Sequence, residues 1–175
     1  MKKYVRLLIL AVVLIVLVVV FLLTGKKKKA SLESRASASI PVFSGDYTKV
    51  NEVSIKTGDT TLTLTKSGDT WTSSGNEAVD QSKVKLMLQE MCSLLAMVQV
   101  ENPGSTASYG LDPAKVTVTF RMNDSSSHTV KLGSITPVNS YYYMTFDGDL
   151  PVYCISDYTY KELSFTADSR TGTSD

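Results

Sequence analysis

Leu7 to Leu23 is an unbroken run of 17 apolar residues, and from Val50 onward the pattern changes to apolar and polar positions that alternate with a period of two. The two patterns predict two different objects. In the second, Val53 and Ile55 alternate with polar neighbours, Thr57-Gly58-Asp59 makes a turn, and Leu62 and Leu64 alternate with Thr61, Thr63 and Thr65. Ser67-Gly68-Asp69 repeats the turn and leads into a short strand at Trp71, so this stretch reads as a β-meander. Asp80 is a good N-cap, because its carboxylate can accept from the first free backbone N–H groups of a helix. Val84, Met87, Leu88, Met91, Leu95 and Val98 follow at spacings of three and four, which predicts a helix to about Val98 with one apolar face against a sheet. At that spacing Met87, Met91 and Met97 read as core filler.

Beyond Pro103-Gly104 the period returns to two. Val116, Val118, Phe120 and Met122 point one way; Thr117, Thr119 and Arg121 point the other. Asn123-Asp124-Ser125 turns the chain, and His128, Val130 and Leu132 then alternate with Thr129 and Lys131. A strand over about Tyr141 to Phe146, a turn at Asp147-Gly148-Asp149, a return over Val152 to Ile155 and a short helix from Ser156 or Asp157 to near Leu163 complete the pattern. Half-apolar strands indicate antiparallel sheet covered on one face. The predicted class is α+β: antiparallel meanders packed on one main helix, preceded by a single transmembrane helix.

The apolar run, as a helix rising 1.5 Å per residue, measures roughly 25 Å and nearly spans a bilayer core. Lys2, Lys3 and Arg6 precede it and Lys26 to Lys29 follow, so cationic side chains can reach the headgroups at both ends. A cleaved signal peptide is the rival reading. Ala36 and Ala38 form an Ala-x-Ala pattern, but four lysines separate them from the apolar run, too far for ordinary cleavage geometry. A buried core helix would need a polar side to meet water, and none exists here. The positive-inside rule does not set the orientation, since three basic side chains and the amino terminus oppose four lysines and Arg35. The expected organisation is an anchor over 1–29, a flexible Ala- and Ser-rich linker with Pro41 over 30–48, a domain over 49–165 and a disordered tail over 166–175.

Charge sharpens the division. Residues 1–29 hold 7 of the 18 basic residues and no acidic ones, which leaves 11 basic against 17 acidic, net −6, in the remainder. A nucleic-acid partner is disfavoured, because neutralising phosphates needs clustered Lys or Arg. The chain has no phosphate-binding glycine motif and no zinc spacing, and no cofactor is expected. His128 is the only histidine and reads as a satisfied or edge residue. Asp59, Asp69, Asp147 and Asp149 read as turn residues, since a calcium loop would need several more oxygen ligands. Cys92 and Cys154 read as two buried free thiols, with a helix-to-sheet disulfide as the alternative outside the cytoplasm. The candidate binding surface is the outer sheet face, where Thr61, Thr63, Thr65, Thr117 and Thr119 are joined by Tyr141 and Tyr143. Threonine suits exposed strands through β propensity alone, while tyrosine makes rigid interface contacts.

Val53 with Ile55, the hairpin into Trp71, Asp80, the segment Tyr109-Gly110-Leu111-Asp112-Pro113 before a Val-Thr-Val strand, Leu132-Gly133, and Tyr142-Tyr143 ahead of Val152-Tyr153 carry a family resemblance. Over Val50 to Phe165 the chain resembles the bacterial family DUF4340, in a single copy. The resemblance implies an extracytoplasmic domain on one N-terminal anchor, in some relatives encoded near ABC-type transporter or gliding-associated components, and no known activity. Read physically, Gly110 can reverse the chain at positive φ, Leu111 can plug the edge of the core and Pro113 can fix the approach to the next strand. The expected function is a non-enzymatic, single-pass cell-membrane protein that serves an envelope complex such as an ABC-type transporter. The alternative is a small-ligand or glycan-binding module at the cell surface.

Overall fold

The structure, a computed structural model, describes residues 39–74 and 79–164. The apolar run 7–23, residues 30–38 of the expected linker and the expected tail 166–175 lie outside the described residues. Among the described residues no helix is long and apolar enough to cross a membrane.

Among the described residues ten strands and two α-helices make an α+β fold: β1 (Ile40–Ser44), β2 (Val50–Thr57), β3 (Thr60–Ser67), β4 (Thr70–Ser73), α1 (Gln81–Cys92), β5 (Ser93–Ala96), β6 (Val98–Gln99), β7 (Val116–Met122), β8 (Ser127–Ile135), β9 (Tyr142–Phe146), β10 (Tyr153–Ile155) and α2 (Asp157–Leu163). Eight strands form one antiparallel sheet in the order β4-β3-β2-β7-β8-β9-β10-β6, and β1 pairs with β5 in a second, two-stranded sheet. The hairpin turns fall where the glycines require them: Gly58 and Gly68 sit at φ +57° and +60°, a region that costs an L side chain energy.

The alternation predicted for the strands is the burial seen. Val53, Ile55, Leu62, Leu64, Val118, Phe120, Val130, Leu132 and Met144 point to one face and join Val84, Met87, Leu88 and Met91 of α1 in a single core. Asp80 caps α1, its carboxylate accepting from the N–H groups of Ser82 and Lys83 at 2.9 and 3.2 Å. The second helix lies beside the first, tied to it by the Thr159 hydroxyl donating to Glu90 at 2.7 Å, and its Tyr160 stacks on Tyr142 of β9.

Two expectations are corrected. The helix ends at Cys92, not near Val98. From Ser93 the burial alternates, with Leu94 and Ala96 fully buried and Leu95 and Val98 45% and 48% exposed, which is strand behaviour. Tertiary partners decide this: the Gly45 N–H caps the Cys92 carbonyl at 2.8 Å, β1 takes one edge of the segment, and the Met97 N–H reaches the Cys154 carbonyl at 2.8 Å on the other side. The second correction is the linker, whose residues 39–48 belong to the fold. There β1 pairs with β5, and a 3-10 turn over Tyr47–Lys49 is capped by the Asp46 carboxylate. Hydrogen bonds from Thr48 also hold the Asp46 carboxyl below its usual range.

Candidate functional site

The face of the large sheet turned away from α1 carries the candidate residues, and strand register fixes how they line up. Thr63, Ser54, Thr119 and Thr129 form one directly paired row across four strands. Thr61, Lys56, Thr117, Lys131 and Thr145 form the next across five. A third runs Thr72, Thr65, Glu52, Arg121 and Ser127. Directly opposed side chains stand about 4.5–5.5 Å apart at Cβ, so the five predicted threonines do share one polar surface. The Thr119 and Thr129 hydroxyls lie 3.4 Å apart on it. Glu52 and Arg121 pair at 3.8 Å, an exposed contact that contributes little.

The two tyrosines do not join these open rows. Tyr141 precedes β9, and its N–H donates to the Thr136 hydroxyl at 3.1 Å. Tyr143 lies on the outer side of β9 but under a roof, with its ring 4.7 Å from that of Tyr109. Burial, then the neighbouring Cys154 and Tyr109, push its phenol upward in pKa. The roof is the 3-10 turn Thr106–Tyr109 followed by Gly110 and Leu111. It sits so close that a Cβ on Gly133 would come 2.3 Å from the Tyr109 carbonyl oxygen, and one on Gly110 would come 2.4 Å from the Ser134 hydroxyl. Gly110 takes φ +67° and Leu111 is 2% exposed, as the reversal and the plug require. The Asp112–Pro113 bond is cis. Thr145, at the end of the second row, is fully buried, and its hydroxyl has no protein hydrogen-bond partner among the described residues. The outer face thus has an open part over β3, β2 and β7 and a roofed part where Thr106–Leu111 packs on Gly133 and Ser134 of β8 and on Tyr143 of β9.

On the open part a concavity of about 560 Å³ lies where the β2–β3 turn meets the approach to β7. Thr117, Lys56 and Lys115 line it together with Gly58, Asp59 and Pro113. Neither ammonium group has an ion-pair or hydrogen-bond partner among the described residues, whereas that of the neighbouring Lys131 is held by Asp149 at 2.7 Å. Sequence reasoning found Thr117 and missed the rest. Residues 56–59 and 113–117 are far apart in the chain, and only the pairing of Lys56 with Thr117 brings them together.

His128 is a satisfied histidine. Its ring packs 4.6 Å from Phe43 and 5.3 Å from Phe120, and its Nδ1 lies 2.6 Å from the Asp147 carboxylate. The other oxygen of that carboxylate accepts from the Thr129 N–H at 2.7 Å, so Asp147 both turns the chain and holds the ring.

The cysteines are two free, buried thiols. Cys92 belongs to the core between helix and sheet, while Cys154 alternates with core-facing Tyr153 and Ile155 and pairs with Tyr143 and Val98 on the other side. Burial pushes Cys92 up to about 11, with Asp46 adding to it, and raises Cys154 as well. Among the described residues no group of three or more His, Cys, Asp or Glu side chains could hold a metal ion.

No curated protein and no solved structure matches the chain. Among known families, "Domain of unknown function (DUF4340)" matches residues 70–170, from β4 through the roof segment and both helices. That match spans more than half of the sequence, and the chain therefore belongs to the DUF4340 family, with one copy of its domain.

Proposed function

We propose that this protein is a single-pass membrane protein whose extracytoplasmic domain acts as an accessory or scaffold subunit of an envelope complex, such as an ABC-type transporter. The observation that carries the reading is the open polar face: three register-matched rows of Thr, Lys, Glu and Arg, on the side of the sheet away from α1. Flat, polar, strand-borne surfaces suit a protein partner, because the sheet holds the side chains in fixed spacing and little order is lost on docking. The apolar run 7–23 with its basic flanks supports the membrane part of the reading. A photo-crosslinking residue at Thr63 or Thr119 in native membranes should capture a defined partner, and the same residue at Lys83 on α1 should not. Equal capture from both, or release of the full-length chain from membranes by alkaline carbonate, rejects the proposal.

A second reading, a small-ligand or glycan-binding module, is favoured by the concavity at Thr117. Its volume of about 560 Å³ falls in the range of small-molecule sites.

A further inference from the structure

The concavity combines features that together select a ligand. Lys56 stands directly opposite Thr117 across the β2–β7 pair, and Lys115, just before β7 begins, lines the same concavity. Two lysines and one threonine therefore line the same concavity. Both lysines are exposed and unpaired among the described residues, in a domain whose net charge is negative. An ammonium is a compact point charge that suits a phosphoryl oxygen, and two of them match the two negative charges of a phosphomonoester near neutral pH. Gly58, on the same wall, offers bare backbone: a side chain there would meet nothing within 4 Å, so the wall has room for a ligand atom. Asp59 completes the lining with a carboxylate, which repels a phosphate but accepts hydrogen bonds from hydroxyl groups.

We infer that the concavity formed by Lys56, Lys115, Thr117 and Asp59 binds a phosphorylated sugar or polyol, its phosphoryl group between the two lysines and its hydroxyls toward Asp59. This deepens the second reading above and depends on it, not on the scaffold reading. The same phosphoryl chemistry occurs free and on the headgroup of phosphatidic acid, so the test separates those sources.

The full-length chain in phosphatidylcholine nanodiscs is titrated at constant ionic strength with glucose 6-phosphate, inorganic phosphate and glucose, following the amide signals of Gly58 and Thr117. A separate sample carries phosphatidic acid in the disc and no soluble phosphate. Saturable movement is expected with glucose 6-phosphate, and weaker movement with inorganic phosphate. The double variant Lys56→Gln/Lys115→Gln should weaken both at least tenfold, while Lys83→Gln on α1 leaves them unchanged. Asp59→Asn should weaken glucose 6-phosphate and spare inorganic phosphate. Glucose binding as tightly as its phosphate overturns the inference and leaves the second reading standing. Movement with phosphatidic acid alone overturns the soluble ligand. No movement in any arm overturns both the inference and the second reading.

Discussion

The two faces of the large sheet are built from the same strands, alternate residues going to each, and they are completed in different ways. The inner face is closed by side chains: Phe120, Leu64 and Met144 are fully buried beneath Met87 and Met91 of the helix. The outer face is closed over only part of its area, and there by backbone. The roof from Thr106 to Leu111 is held where two glycines let main chain approach main chain. Where the roof stops, threonines and lysines remain in water. Apolar burial is therefore concentrated on one side of a single layer and polar side chains on the other, with the roof as the exception.

Substitutions on the two sides should separate accordingly, and chemical denaturation followed by the fluorescence of Trp71, the only tryptophan and a buried one, reads them. Phe120→Ala removes the largest fully buried side chain among the described residues and should lower the unfolding free energy by about 3–5 kcal/mol. Gly133→Ala tests the roof. The new methyl group meets the Tyr109 carbonyl, and a loss of about 1–3 kcal/mol is expected, together with faster alkylation of Cys154 than of Cys92. Equal alkylation would mean that the roof and the core open as one. Asp80→Ala removes the cap of the helix that covers the inner face and should cost about 0.5–2 kcal/mol. Thr63→Ala, on the open part, should stay within about 0.5 kcal/mol of the parent; a larger loss would show that the open face is structural.

Cys92 adds a pH dependence to the inner side. Its folded thiol ionises only near pH 11, whereas the exposed thiol of the unfolded chain ionises near 9.0. The neutral thiol is thus favoured by the fold, so its contribution is fully present below pH 9 and is lost as the pH rises toward 11. Denaturation midpoints of the parent and Cys92→Ala should converge across that interval and run parallel below it.

Much of the fold was legible because the period of two is a local signal. Val116, Val118 and Phe120 announce their strand without knowledge of its neighbours, and Asp80 announces its helix through a bond to its own next turn. The segment from Ser93 to Gln99 is ambiguous in the sequence because its apolar residues Leu94, Leu95, Met97 and Val98 suit either period. Only the arrival of β1 and β10 on its two edges decides it, and those contacts are far away in sequence. The strand over Ile40–Ser44 was hidden by Pro41 and by the Ala- and Ser-rich residues before it. At the candidate site the threonine rows were visible as alternation. The lysine-lined concavity was not, because it exists only once β2 and β7 lie side by side, and the roof over Tyr143 was hidden because close backbone packing leaves no mark beyond two glycines.

The rims of the sheets complete the picture. The large sheet ends in β4, four residues long, and in β6, two residues long, while β1 brings a proline with no N–H to donate at Pro41. A foreign strand that approached any of these margins would find too few main-chain groups to zip along. The fold can in this way keep a broad pleated plane without polymerising into fibrils.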